Sequence, residues 1–403
     1  MKFYREIDFQ ETEIGKIPKE WKVTKLGNII TIKNGKRPLL SKDGLIPVYG
    51  ANGIMGYTKE FLVDNDYTIV IGRVGASGEV HLAQGKIWIS DNALYSEKVD
   101  KTKLCLPFLY YLLKTKKLDS LASKTTHPII TQTILSKLTI QLPPLAEQQK
   151  IAEILSTADR AIEDVDKTIN RLERLKKALM GELLAGRIRV KEVDGKLTFY
   201  RETEFQETEI GKIPRDWKTA KLGEIAKIIM GQSPPSETYN KDGVGMPFLQ
   251  GKMEFGRIYP SPSMYTTKPI KIAEPNDILI SVRAPVGDVN ITPYRLCIGR
   301  GLAAIRLNPA LAFNLFYFYY LQWSKNRLEN LGKGSTFRAI TLEDLKEFKV
   351  TCPPYNEQQK LAEILSTVDK TIELYQYERS KLEKVKNGLM SVLLTGKVRA
   401  RDD

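Results

Sequence analysis

FYREIDFQETEIGKIPKEWKVTKLG, residues 3–27, returns as FYRETEFQETEIGKIPRDWKTAKLG at residues 199–223, identical at 19 of 25 positions with a constant offset of 196. A second pair lies further on: PPLAEQQKIAEILST at 143–157 and PPYNEQQKLAEILST at 353–367 agree at 12 of 15 positions, with an offset of 210. A third matches ALMGELLAGRIRV at 178–190 with GLMSVLLTGKVRA at 388–400. Self-similarity on this scale organises the whole chain. It is a tandem pair, about 3–198 and 199–403, whose frame repeats while the interiors, 28–142 and 224–352, show little similarity. A duplicated enzyme should repeat its reactive residues inside each copy. Repeated ends point instead to the same packing or partner used twice, and divergent interiors to two readings of one kind of ligand.

The segments after each Pro-Pro read as long helices. Proline forces an extended approach, and a Glu/Gln/Lys/Leu-rich stretch follows. In the first, Ile151, Leu155, Ala158, Ile162, Val165, Ile169 and Leu172 alternate steps of four and three. In the second, Leu361, Leu365, Val368, Ile372, Tyr375 and Leu382 follow the same steps, with Arg379 intruding. A sustained heptad seam predicts two helices packed as a coiled coil, each stopped near a glycine, Gly186 or Gly396. Antiparallel packing would set the two interiors at opposite ends of a rigid spacer. Within the interiors, β-rich runs such as 67–72 and 277–282 alternate with turns, and each closes with an aromatic-rich helix, 106–118 or 312–328. The expected fold is mixed α/β, with two similar globular domains and a pseudo-two-fold internal repeat. The expected divisions are a first domain at 1–144, a spacer helix at 145–186, a linker and second domain at 187–354, and a second helix with a tail at 355–403.

Charge supports the same division. Of the net charge of +14, residues 17–144 hold 18 Lys/Arg against 10 Asp/Glu, and residues 213–354 hold 19 against 12. Two basic blocks divided by neutral segments look like two footprints on a polyanion. No stretch is apolar enough for a membrane span, the N-terminus has no secretory h-region, and Cys105, Cys297 and Cys352 are too scattered for a disulfide framework. A cytoplasmic protein is expected.

A search for reactive constellations finds none. The two histidines, His81 and His127, both fall in the first interior. No HxxxH, CxxC or carboxylate cluster suits a metal, and Gly332–Thr336 lacks the spacing of a phosphate loop. Cys352-Pro353-Pro354-Tyr355 imitates the (Asn/Asp)-Pro-Pro-(Tyr/Phe) loop of amino-methyltransferases. Cysteine replaces the Asn or Asp that must accept a hydrogen bond from the target amino group, and the repeat counterpart Leu142-Pro143-Pro144-Leu145 loses both ends. The prolines are helix punctuation. Charge alone does not separate DNA from RNA or an acidic membrane; candidate nucleic-acid contacts are loop residues that mix Gly, cations and small polar groups. In the first interior they are Lys33, Asn34, Lys36, Arg37, Arg73, Lys124, Thr125 and Thr126. In the second they are Gln250, Lys252, Arg283, Arg300, Lys333, Ser335, Thr336 and Arg338. Arginine suits guanine, Asn and Gln suit adenine, and Lys with hydroxyls suits phosphate.

The doubled IGKIPxxW…KLG (Ile14–Gly27, Ile210–Gly223), the doubled PPxxEQQK[IL]AEILS and Gly334–Ile340 resemble the specificity subunit of type I restriction–modification enzymes across essentially the whole chain. At the end of the first interior Thr125-Thr126-His127-Pro128-Ile129 departs from that pattern. The resemblance implies two target-recognition domains, each reading half of an interrupted duplex DNA site. It implies helices that set the gap and dock two methyltransferase subunits, which would carry S-adenosylmethionine. It also implies a restriction subunit, dependent on ATP and magnesium, that joins the complex, and no cofactor or catalysis on this chain. It further implies a circular arrangement, because Gly396-Lys397-Val398-Arg399 matches Gly186-Arg187-Ile188-Arg189. A coiled-coil scaffold without sequence-specific DNA binding is the competing reading.

Overall fold

In the computed structural model, residues 2–122, 128–331 and 339–401 are described. Two compact units emerge, one of residues 1–167 with 376–403 and the other of residues 168–375. Each therefore takes one domain, the start of one long helix and the end of the other. Those helices run Leu145–Leu183 and Tyr355–Leu393, 39 residues each, or about 58 Å at 1.5 Å per residue.

In the first unit Asp166 accepts Arg379 Nε at 2.6 Å, and Asp159 accepts Lys386. The partner numbers run in opposite directions, so the helices are antiparallel there. In the second unit Lys176 Nζ lies 2.8 Å from both carboxylate oxygens of the fully buried Asp369. Arg379, the residue that interrupts the apolar seam, thus reaches across to a carboxylate. Of the seam residues, Ile151, Leu155, Val165, Leu361, Leu365 and Ile372 are buried, and Ile162, Ile169, Leu172, Val368, Tyr375 and Leu382 are half-buried.

The repeated motifs form a joint that is built once in each unit. Pro143-Pro144 and Pro353-Pro354 precede each helix, and the first glutamine of the motif secures it. Gln148 Nε2 donates to the Pro143 and Lys103 carbonyls at 2.9 and 2.8 Å, and its Oε1 accepts the Cys105 N–H at 2.9 Å. Gln358 repeats this with Pro353 at 2.9 Å and Phe313 at 2.8 Å. The preceding glutamate meets the opening repeat: Trp21 Nε1 donates to Glu147 and Trp217 Nε1 to Glu357, both at 3.1 Å. A buried arginine closes each joint. Arg189 gives Nε and Nη2 to Glu357, both at 2.7 Å, and reaches Glu202 at 2.7 Å and Asp216 at 2.8 Å. Arg399 gives Nε and Nη2 to Glu147 at 2.6 and 2.7 Å, Nη2 also reaches Glu20 at 3.1 Å, and Nη1 binds Glu6. Fork-to-carboxylate geometry satisfies both members of each pair, as burial demands. Gly186 and Gly396 take φ of +68° and +70°, and a Cβ on either would sit 2.4 Å from Pro214 or Pro18; only glycine lets the turn pass this close.

The strand carrying Arg189, Ile188–Val193, turns directly into Lys196–Arg201 and pairs with it. In the first unit the same ladder joins the two ends of the chain: Val398–Arg401 pairs antiparallel with Lys2–Arg5.

Each domain rests on the same sheet. In the first, strands run in the order Ile30–Asn34, Ala93–Val99, Val63–Gly72, Val80–Ile89, Ile46–Gly50, Gly53–Thr58. In the second, the order Ala226–Met230, Leu302–Leu307, Ile278–Ser281, Val289–Ile291 reproduces the first four. The long strand Val80–Ile89 is there divided into Val289–Ile291 and Leu296–Ile298. The parallel pairing of Val48 with Trp88 and Tyr49 with Ile89 returns as Phe248 with Cys297 and Leu249 with Ile298. The interiors therefore share a framework, although their sequences do not show it. The aromatic-rich helices run Leu106–Thr115 and Asn314–Trp323, and the second is followed by a short helix, Lys325–Leu331. Both long segments lie against the sheets, with Phe108, Phe316, Tyr317 and Phe318 fully buried.

Candidate nucleic-acid interface

At one end of each sheet several loops are tied together by backbone hydrogen bonds, and the ties correspond one for one. In the first domain Gly35 N–H donates to Ala93, Lys36 to Ile89, Ser90 to Tyr49 and Arg73 to Asn92, at 2.8–3.0 Å. In the second, Gly231 donates to Leu302, Gln232 to Ile298, Gly299 to Leu249 and Val282 to Gly301, at 2.8–2.9 Å. The last connection in each domain brings in the segment that leads into a short helix, Gln132–Ser136 or Leu342–Glu347: Ile130 donates to Arg73 and Ile340 to Val282, at 3.1 and 2.9 Å. Glycine makes the approach possible. A Cβ on Gly35 would lie 2.1 Å from the Ser90 carbonyl, and one on Gly231 would lie 2.2 Å from that of Gly299. Main-chain bonds that do not depend on side-chain identity thus hold a crown of loops whose side chains are free to differ.

On this crown Lys36, Arg37, Gln250, Arg283 and Arg300 are exposed. Arg73 is half-buried, with Nη1 3.5 Å from the Asp91 carbonyl. The pairing shows that Arg73 and Arg283 are not counterparts: Arg73 occupies the place of Val282, and Arg283 that of Val74, which makes the matching bridge to Ile129 while Arg283 bridges Ala339. The two arginines leave the backbone one residue apart, so equivalent loops present different surfaces. Arg300 donates its backbone N–H to Ser233 Oγ at 3.3 Å.

Other candidates are engaged within the domain. Lys33 and Asn34 sit on the strand Ile30–Asn34, and the Lys33 ammonium pairs with Glu97, whose hydrogen bond raises its pKa. Lys252 pairs with Asp288, which also takes Lys325 at 2.6 Å. Burial pushes the Asp288 carboxyl up, but the two lysines outweigh it and hold it below the usual carboxylate range. Lys124, Thr125, Thr126, His127, Lys333, Ser335, Thr336 and Arg338 lie outside the described residues. His81 faces the Ala51 carbonyl, with Nε2 3.4 Å away, and its ring packs beside Tyr49. Among the described residues no group of three or more His, Cys, Asp or Glu could hold a metal ion, and no helix is long and apolar enough to cross a membrane.

Two crown residues escaped the sequence reading, Gln232 and Ser233. The signal was present, because the offset of 196 that relates the opening repeats carries Gly35-Lys36-Arg37 onto Gly231-Gln232-Ser233.

The model of the type I restriction modification DNA specificity domain matches residues 18–174 and again 214–384. The chain belongs to this family. It is 40% identical to the putative type I restriction enzyme MjaX specificity subunit of Methanocaldococcus jannaschii, over 100% of this chain and 99% of that protein. To the MjaVIII specificity subunit of the same organism it is 28% identical, over 100% and 98%. Its fold is similar to that of the S subunit of a type I restriction–modification system from M. genitalium, with a TM-score of 0.66 at 20% identity over 93% of this chain and 96% of that one. Each match of the family's domain spans one sheet, one loop crown and most of the long helix that follows it. The tandem mixed α/β architecture read from the repeats, and the role as a specificity subunit implied by the resemblance, agree with these likenesses.

Proposed function

We propose that each loop crown reads one half of an interrupted duplex DNA site, while the long helices set the gap and dock two methyltransferase subunits. A restriction subunit joins the complex through them. Catalysis, with its S-adenosylmethionine, ATP and magnesium, belongs to those partners, in the cytoplasm, and this chain supplies selection. One observation carries the reading: the same backbone scaffold is built twice with different side chains on its crown, inside two basic blocks. That is what a reader of two unlike half-sites requires, since backbone ties preserve geometry while base-facing groups vary. Exposed Arg37, Arg283 and Arg300 are suited to guanine edges, Gln250 and Gln232 to adenine, and Lys36 to phosphate.

The test is selection of binding sequences from a random duplex library by the chain assembled with its methyltransferase subunits, at several salt concentrations. The expected result is enrichment of two short sequences at fixed spacing, with log affinity falling linearly with log salt at about −0.9 per phosphate neutralised. A coiled-coil scaffold would enrich nothing and show no such slope.

A further inference from the structure

The two units differ in the connection between one pair of equivalent strands. In the first domain the strands Ile46–Gly50 and Gly53–Thr58 are joined by two residues, Ala51-Asn52. In the second, the equivalent strands Met246–Leu249 and Met264–Thr266 are joined by residues 250–263. Part of that insertion folds back over the sheet edge. The Ile291 N–H donates to the Ile258 carbonyl at 2.7 Å, Asn290 brackets Gly256 with two hydrogen bonds at 3.1 and 2.9 Å, and Ile258 joins the core. Arg257 then reaches Asp369 Oδ1 at 2.9 Å and also binds Glu173.

The first unit keeps part of the receiving side of this arrangement, the aspartate with its tyrosine and lysine, while Glu383, at the position of Glu173, is held by Arg379 at 2.8 Å. Tyr319 donates to Asp369 at 2.8 Å and Tyr111 to Asp159 at 2.6 Å, while Lys176 and Lys386 complete the two sets. Ladder and motif register place Leu82 at the Ile291 position and Tyr110 at that of Phe318. Among the described residues no arginine reaches Asp159, and there the cover is missing. Asp159 is 35% exposed where Asp369 is 0% exposed, and Leu82 and Tyr110 are half-buried where Ile291 and Phe318 are buried. In its place lies an open groove of about 1030 Å³, with Leu82, Tyr110 and Asp159 in its walls. Its lining carries five carboxylates, of which Glu97 and Asp159 already take Lys33 and Lys386, against Lys101 and Arg160.

We propose that this groove in the first unit is a docking site for an extended, arginine-bearing segment of a partner protein, with an aliphatic residue beside the arginine. The occupant's chemistry is read from the second unit, where the chain fills the matching place with its own Arg257-Ile258. Charge agrees, because a guanidinium entering the first groove meets Asp159 with Glu153 and Glu163 on the same helix. A chain with two like halves thereby offers one such site and not two. The inference does not rest on the DNA reading.

The experiment uses the full chain and a synthetic peptide of its own residues 251–263, GKMEFGRIYPSPS, in isothermal titration calorimetry. Saturable binding of one peptide per chain is expected, weakened at least about tenfold when the peptide carries Arg257→Glu, a loss of the order expected for a desolvated charge pair. Ser156→Trp, which fills the groove from the helix, should abolish it; should that variant not fold, the double change E153K/E163K should weaken it instead. Absence of saturable binding, equal binding of the Arg257→Glu peptide, or binding untouched by the groove variants would overturn the proposal. So would competition by free arginine or by a short DNA duplex as effective as that of the peptide.

Discussion

Replacing Arg189 with methionine removes the cation at the centre of the second joint and keeps most of its apolar bulk. The side chain is 8% exposed and makes two bonds to Glu357, which is itself 7% exposed. Glu202, 13% exposed, keeps the Thr203 and Glu204 N–H groups as donors when the arginine is gone, and Asp216 matters less. Asp216 is 55% exposed, and an ion pair that open to water contributes about 0–1 kcal/mol. The weight falls on Glu357, left with the Trp217 indole as its described donor. Breaking a buried pair from one side costs about 3–5 kcal/mol, because the remaining charge is uncompensated. The water-facing edge of this cluster puts the expectation near the lower figure, about 3 kcal/mol. Hydrogen exchange read by mass spectrometry should show the loss first in Ile188–Val193 and Lys196–Arg201, the ladder that carries the arginine. The double change R189M/E357Q should restore about half of it, since a neutral amide at 357 still accepts from Trp217. A single variant within about 1 kcal/mol of the parent, or a double variant no more stable than the single, refutes the uncompensated-charge argument.

Arg37→Ala should relax selectivity in one half-site and Arg283→Ala in the other, each by roughly 1–3 kcal/mol, as read by binding to duplexes that differ in a single half. Lys36→Ala should weaken binding evenly across sequences and lower the salt slope by about one. Inserting one heptad into each long helix, at opposed positions, should lengthen the gap by about 10 Å, or roughly three base pairs, and leave both half-sequences unchanged. The Arg189 hydrogen bonds hold the Asp216 carboxyl below its usual range. A depressed carboxylate stabilises above its unfolded pKa of about 3.9 and loses that contribution as pH falls through the lower folded value. The stability gap between the parent and R189M should therefore narrow as pH falls through that value, because the parent loses a contribution that R189M already lacks; chemical denaturation at a series of pH values checks it.

Much of the frame was legible because it depends on particular side chains. Trp21, Glu147, Gln148 and Arg399 each make bonds no substitute reproduces, so they recur with Trp217, Glu357, Gln358 and Arg189. Of these, the arginines were visible only as part of a matching tail, because a cation near a helix end reads as solvated until its carboxylates are placed. The shared sheet was not legible for the opposite reason. Its ladders are main-chain bonds, and its core accepts any apolar group of suitable volume, so Val48 stands where Phe248 stands and Tyr95 where Ala304 stands. The crown was legible in part: cations beside glycine marked Lys36 and Arg37, but the same turn carries Gln232 and Ser233, which no charge pattern signals. Lys252 looked free in sequence and is held by Asp288, a contact between positions 36 residues apart that spacing does not reveal.

The most direct test is methylome sequencing of cells that express this chain with a candidate methyltransferase subunit. The account predicts adenine methylation at one gapped bipartite sequence, lost when this chain is omitted and altered in one half only when one domain's crown is changed. Methylation that is independent of this chain, or a crown change that alters both halves together, would contradict it.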